Sequence, residues 1–159
     1  MQIIITGKSG TLPQEDRIMS EKDVIEKYPD TGVNVKIKLA FMWTALMFFY
    51  IYNDILSFFQ PGHVADLVEG QLEGVVFNQA FLVGAAALMA LPGLMVILSV
   101  VLKARPNRIV NIVFGIFHIL VLAGTQFVGE SAVWIYWRMY EVIEGILLVL
   151  IIVTAWRWK

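Results

Sequence analysis

The chain has 159 residues, about one domain's worth, of which 58% are hydrophobic and 16% charged, with a mean hydropathy of +0.73. Soluble domains average roughly 45–50% apolar and about 25% charged, so the balance excludes an ordinary soluble fold and excludes a disordered chain. With 12 Lys+Arg against 13 Asp+Glu the net charge is -1, which offers no basic footprint for nucleic acid, and the absence of cysteine removes disulfides, thiolate metal sites and CxxC redox chemistry.

Residues 1–38 hold 12 of the 25 charges, six basic and six acidic, and read as a water-facing segment. Its β-type run of Ile3, Ile4 and Ile5 is cut off by Gly7 and Gly10, too short to build a sheet. Ser20 followed by Asp23 resembles a helix N-cap and predicts a short amphipathic helix over 21–28, with Val24, Ile25 and Tyr28 on one side. The expected division is a polar N-terminal segment, 1–35, and a membrane domain, 36–159. No cleavable signal is expected, because the first long apolar run begins only near residue 39 and lacks a small-residue cleavage site.

Four apolar stretches follow, at about 39–59, 79–102, 109–128 and 131–156. A bilayer core about 30 Å thick needs about 20 helical residues, so each is long enough to span, and their continuous apolarity argues against barrel strands. The expected fold is all-α, an integral membrane four-helix bundle. Lys36, Lys38, Lys103, Arg105, Arg108, Arg157 and Lys159 flank one set of ends, whereas the opposite connections carry Asp66, Glu69, Glu73 and Glu130. Basic residues stay inside, which predicts cytoplasmic N and C termini. Trp43, Trp134, Trp137, Trp156 and Trp158 suit interfacial belts.

The run VNVKIKLAFMWTALMFFYIYNDILSFFQPG, then ALPGLMVILSVVLKARPNRIVNIVFGIF and the closing TAWRWK, resembles a family of uncharacterised four-span bacterial membrane proteins and, more distantly, the small four-helix proteins grouped as DoxX-like. The likeness covers about residues 33–159. It implies a multi-pass topology in a bacterial cytoplasmic membrane and no particular activity. Some DoxX-like proteins are partners of quinone-linked oxidoreductases, a role for which this chain shows no motif.

Ionisable residues inside spans carry the functional information, since each costs at least ~2.5–3.5 kcal/mol at a helix centre unless paired or hydrated. Counting about 1.5 Å per residue places Asp54, Gln126 and Arg138 in one layer about 7–10 Å from the outer boundary, with Glu141 and His118 meeting nearer the midplane and Glu144 deeper. Arg138 is expected to pair with Glu141 or Asp54. Arg138, Glu141 and Glu144 follow one another at i,i+3, and Asn111, His118 and Thr125 recur every seven residues, so each set keeps to one helix face. Trp43, Met47, Tyr50 and Asp54 line up on the first span. On the second, Gly84, Ala85, Ala86, Ala87 and Ala90 predict close helix approach, and Pro92 frees the Leu88 carbonyl, for which His118 is a candidate donor.

The expected ligand-binding residues are Tyr50, Asp54, His118, Gln126, Arg138, Glu141 and Glu144. Haem would want a second axial histidine within a span, a set of His118 with Glu141 and Glu144 has no metal motif behind it, and no lysine within a span could hold retinal, so neither cofactor nor metal is assigned. Three function classes stay open. A binding module would hold a small amphipathic molecule, lipid or quinone-like, in an intramembrane polar cavity. A proton-coupled transporter subunit would relay protons through Asp54, His118, Glu141 and Glu144; four spans are few, so it would need a homo-oligomer or another membrane protein as partner. An intramembrane lipid-modifying enzyme would use Glu141 or Glu144 as acid and base, although no nucleophile–base pair is legible. The first is favoured.

Overall fold

The computed structural model describes residues 32–72, 74–127 and 134–158. The N-terminal helix expected over 21–28 and the acidic residues Glu73 and Glu130 lie outside them. In chain order the elements are α1 (Val35–Ser57), α2 (His63–Val68), β1 (Gln71–Leu72), β2 (Val75–Val76), α3 (Gln79–Val101), α4 (Ala104–Thr125) and α5 (Ile135–Arg157). The four helices of 22 or 23 residues, α1, α3, α4 and α5, are long and apolar enough to cross a membrane; 23 residues reach about 34 Å.

Two of these helices begin earlier than hydropathy alone suggests, α1 at Val35 and α4 at Ala104. Their first turns contain lysines and arginines whose long stems can lie along apolar surface while the charge stays at the boundary. The Asn34 side chain accepts from Lys36 N at 2.9 Å and starts α1, and Asn78 does the same for α3 through Phe81 N at 2.8 Å. Pro106 sits in the first turn of α4, where its missing N–H has no partner to lose. Buried Pro92 lies within α3, and the helix continues through it.

α1 packs broadly against α3 and α5, and α4 against α5, whereas α3 and α4 touch sparsely beyond their short link. The core is Leu39, Trp43 and Leu46 of α1, Met95 of α3, and Leu148, Ile151 and Ala155 of α5. Outside it the surface is oily, with Phe41, Val83, Ile109, Leu120 and Val142 all exposed. Polar groups inside and large apolar side chains outside invert the soluble arrangement and suit a hydrocarbon solvent.

The small-residue surface of α3 does not make a close helix contact: Gly84, Ala86, Ala87 and Ala90 are exposed. Among the described glycines the tightest approach is that of Gly115 of α4, where a Cβ would fall 2.7 Å from Ile152 Cγ1 of α5.

Lys36 Nζ donates to the Val100 carbonyl at the end of α3, and Arg108 Nη1 to the Trp158 carbonyl beyond α5. The expected basic ends therefore do gather at one end of the bundle, and two of the cations there cap helix C-termini. At the far end, residues 61–72 and 74–78 contain a short helix and a hairpin. Gly62, at φ 86, leads into α2, and a two-stranded hairpin pairs Gln71 with Val76 and Leu72 with Val75, with Gly74 (φ 81) in its turn.

Candidate functional site

Polar side chains occupy the bundle in layers. Nearest the basic end is a closed network. Asn111 Oδ1 accepts from Trp43 Nε1 at 2.7 Å and from Ser99 Oγ at 3.3 Å. Asn111 Nδ2 donates to the Asn107 carbonyl (2.9 Å) and to Asn107 Oδ1 (2.7 Å), and Asn107 Nδ2 donates to the Ser99 carbonyl at 2.6 Å. All four residues are fully buried. Trp43 is thus a core residue and not part of an interfacial belt, because its indole N–H has a partner only inside; Trp134 and Trp156 remain exposed, as a belt requires.

One layer further along, the Tyr50 hydroxyl lies 3.4 Å from His118 Nδ1. The imidazole is walled by aromatic rings, with Trp43 edge-on at 5.7 Å, Phe117 at 5.6 Å and Tyr50 stacked at 6.2 Å. Glu144 of α5 is buried in the bundle as well. His118 is 1% exposed and Glu144 3%, yet His118 Nε2 and Glu144 Oε1 have no hydrogen-bond partner among the described residues. His118 does not serve the Leu88 carbonyl freed by Pro92.

The third layer is a polar knot between α4 and α5. Arg138 Nη1 meets Glu141 Oε2 at 2.8 Å, the one ion pair among the described residues, and also donates to Gln126 Oε1. Gln126 Nε2 donates to Glu141 Oε1 at 2.6 Å. The expected pairing of Arg138 with Glu141 is present and that with Asp54 is not, since Glu141 lies one turn away on the same helix. Because Glu141 is occupied here, it does not meet His118, whose ring turns instead toward Tyr50.

At the far end Asp54 is exposed. Ser57 Oγ donates to the Asp54 carbonyl at 2.6 Å and lies 3.1 Å from His63 Nε2. This Asp, Ser and His grouping is wired the wrong way for nucleophilic catalysis. The serine proton is already given to its own helix, so the imidazole must donate to Oγ and cannot take a proton from it. No three His, Asp or Glu side chains among the described residues form a metal-binding group.

Of the seven residues expected to share one site, the structure pairs Tyr50 with His118, joins Gln126, Arg138 and Glu141 in one knot, and buries Glu144 without a hydrogen bond to either group. Asp54 stands apart toward the far end. Sequence reasoning missed Asn107, Ser99, Ser57 and His63. Asn107 lies four residues before Asn111 on the same helical stripe, a usable signal obscured by assigning it to a turn.

Four membrane-length helices with an oily exterior and a polar interior define a multi-pass integral membrane protein. The chain belongs to a family of unknown function (DUF6326), which matches residues 29–159. No curated protein and no solved structure matches it.

Proposed function

We propose that the protein binds a small amphipathic molecule, a lipid or quinone-like compound, through the buried polar residues Tyr50, His118 and Glu144. The observation that carries this reading is that Nε2 of His118 and Oε1 of Glu144, with Oδ1 of Asn53, are the three buried side-chain polar atoms left without a hydrogen-bond partner among the described residues. A buried polar group without a partner costs about 1–3 kcal/mol, and a head group that satisfied one of them would recover that cost on binding. The sparse contact between α3 and α4 offers a side from which a lipid-soluble molecule could enter. The DoxX-like resemblance agrees with this reading in topology. The carrier reading is weaker, because the basic-end half is filled by the satisfied, non-titrating Trp43–Asn111–Asn107–Ser99 network. The enzyme reading finds no activated nucleophile among the described residues.

Protein extracted with its native lipids into polymer discs is expected to carry one defined molecule by mass spectrometry. Both Glu144→Leu and His118→Phe should lose it while remaining folded. Wild-type protein that carries only bulk lipid, in the same proportions as the two variants, would overturn the reading.

The proposal includes a bacterial cytoplasmic membrane, with residues 1–35 and the C-terminus on the cytoplasmic side, supported by the seven basic residues near one set of helix ends. A reporter fused after Lys159 should be active only as a cytoplasmic fusion; activity on the outer side would reverse the orientation.

A further inference from the structure

We infer that the short helix α2 and the chain leading into it lie in the lipid interface at the far end of the bundle, with Phe59, Val64 and Val68 among the acyl chains and Asp66 and Glu69 turned to water; the inference does not depend on the ligand reading above. Three observations lead to it.

The first is the division of faces around α2. His63 and Leu67 share the docked side: His63 is buried with its Nε2 3.1 Å from Ser57 Oγ, and Leu67 is half-buried. Val64 and Val68 occupy one free flank, 51% and 83% exposed, while the exposed Asp66 and Glu69 occupy the other. At about 100° per residue the midpoints of the two flanks stand about 150° apart. A helix docked on one side, apolar on a second and acidic on a third suits a boundary between oil and water, where each free flank meets its own solvent.

The second is continuity with the lipid-facing surface of α1. Phe48, Tyr52 and Ile55 are exposed and follow one another at intervals of four and three, and Phe59, four residues on, extends the same stripe past the helix end. The Phe59 N–H donates to the Leu56 carbonyl at 3.1 Å, so the helical turn persists to that point. Phe59 is 81% exposed. The oily stripe thus runs off the spanning helix directly into the segment that carries α2.

The third is depth. A hydrocarbon core about 30 Å thick takes about 20 helical residues. Counted from Lys38 at the basic end of α1, that distance ends at Phe58; counted back from Val101 at the same end of α3, it ends at Phe81, whose ring stacks on Phe77 at 5.4 Å. The chain therefore enters and leaves the cap through aromatic residues at the level where such rings gather. Residues 58–78 contain no lysine or arginine, so apolar burial alone makes the contact and no anionic lipid is needed.

The chain has no cysteine, so single-cysteine variants accept one nitroxide each. Phe59→Cys, Val64→Cys, Val68→Cys, Asp66→Cys and Glu69→Cys all fall at exposed positions, where a label disturbs no packing. The full chain in nanodiscs of phosphatidylcholine, and in parallel of phosphatidylglycerol, is read by electron paramagnetic resonance. Oxygen, which concentrates in lipid, and a neutral nickel chelate, which stays in water, are the collision reagents. The ratio of oxygen to nickel collision should be several-fold higher at Phe59, Val64 and Val68 than at Asp66 and Glu69, in both lipids. A ratio as low at the valines as at the acids places the cap in water and overturns the inference. Shielding of the valines from both reagents also overturns it and assigns the flank to protein: a second copy if the nitroxides broaden one another's spectra, another segment of the same chain if they do not. A lipid-like ratio found only with phosphatidylglycerol overturns the commitment to an uncharged contact.

Discussion

Asn111→Leu should be the most damaging single substitution in the bundle, lowering stability by about 3 kcal/mol. Asn111 is the one residue that joins α1, α3 and α4 through side-chain hydrogen bonds, serving Trp43, Ser99 and Asn107 together. Removing it strands the indole N–H and the Asn107 side-chain oxygen in a fully buried environment, and each stranded group costs about 1–3 kcal/mol. Individual interhelical hydrogen bonds in membranes average only about 0.6 kcal/mol, so the large figure depends on several groups being orphaned at once. Trp43→Phe should cost less, about 1 kcal/mol beyond lost packing. Reversible unfolding in mixed micelles checks both. In the double variant the penalties should fall short of additivity by about 0.5–2 kcal/mol, and strict additivity would mean that the bond carries nothing.

A comparably large effect is expected at Gly115. Its position places any Cβ 2.7 Å from Ile152 Cγ1 and 3.3 Å from Ile152 Cδ1, closer than carbon atoms pack. Gly115→Ala should cost about 1–3 kcal/mol, the usual penalty for overpacking, and Gly115→Leu should force α4 and α5 apart. The same unfolding assay should show Gly115→Ala rescued in large part by Ile152→Ala, which empties the space the new methyl needs. An undiminished penalty in the double variant would show that helix approach at this point is not limited by Ile152.

The four membrane helices could be read from the sequence because hydropathy over 20 residues depends on composition alone. Helix starts were harder: α4 begins inside a charged turn, and it takes the geometry of the boundary to see that Arg105 and Arg108 tolerate helical conformation there. The polar stripes on α4 and α5 were legible from spacings of seven and three. Which residues face one another across helices was not, because depth counting fixes height along the bundle and leaves rotation free. Arg138 and Asp54 fall at similar height, yet the arginine turns to Glu141 on its own helix. His118 and Tyr50 meet because α1 and α4 run parallel in register: Trp43 with Asn111 and Tyr50 with His118 are both 68 residues apart. Tryptophan also misleads a boundary argument, since the same side chain suits an interface or a hydrogen-bonded core site, and only a partner such as Asn111 decides between them.

The unequal helix contacts bear on how the protein is made. α1 with α3, and α4 with α5, are two hairpins joined by the short link at Leu102 and Lys103. Synthesis delivers the first hairpin before the second. On its own the first exposes little to lipid that a polar partner must cover, apart from the Trp43 indole, the Tyr50 hydroxyl and Ser99. The second brings Asn107 and Asn111, whose amides are costly in hydrocarbon until Trp43 and Ser99 receive them. The earlier pair therefore acts as a waiting template for the later one, and the order of the hairpins along the chain spares the newborn protein a step in which bare amides meet lipid.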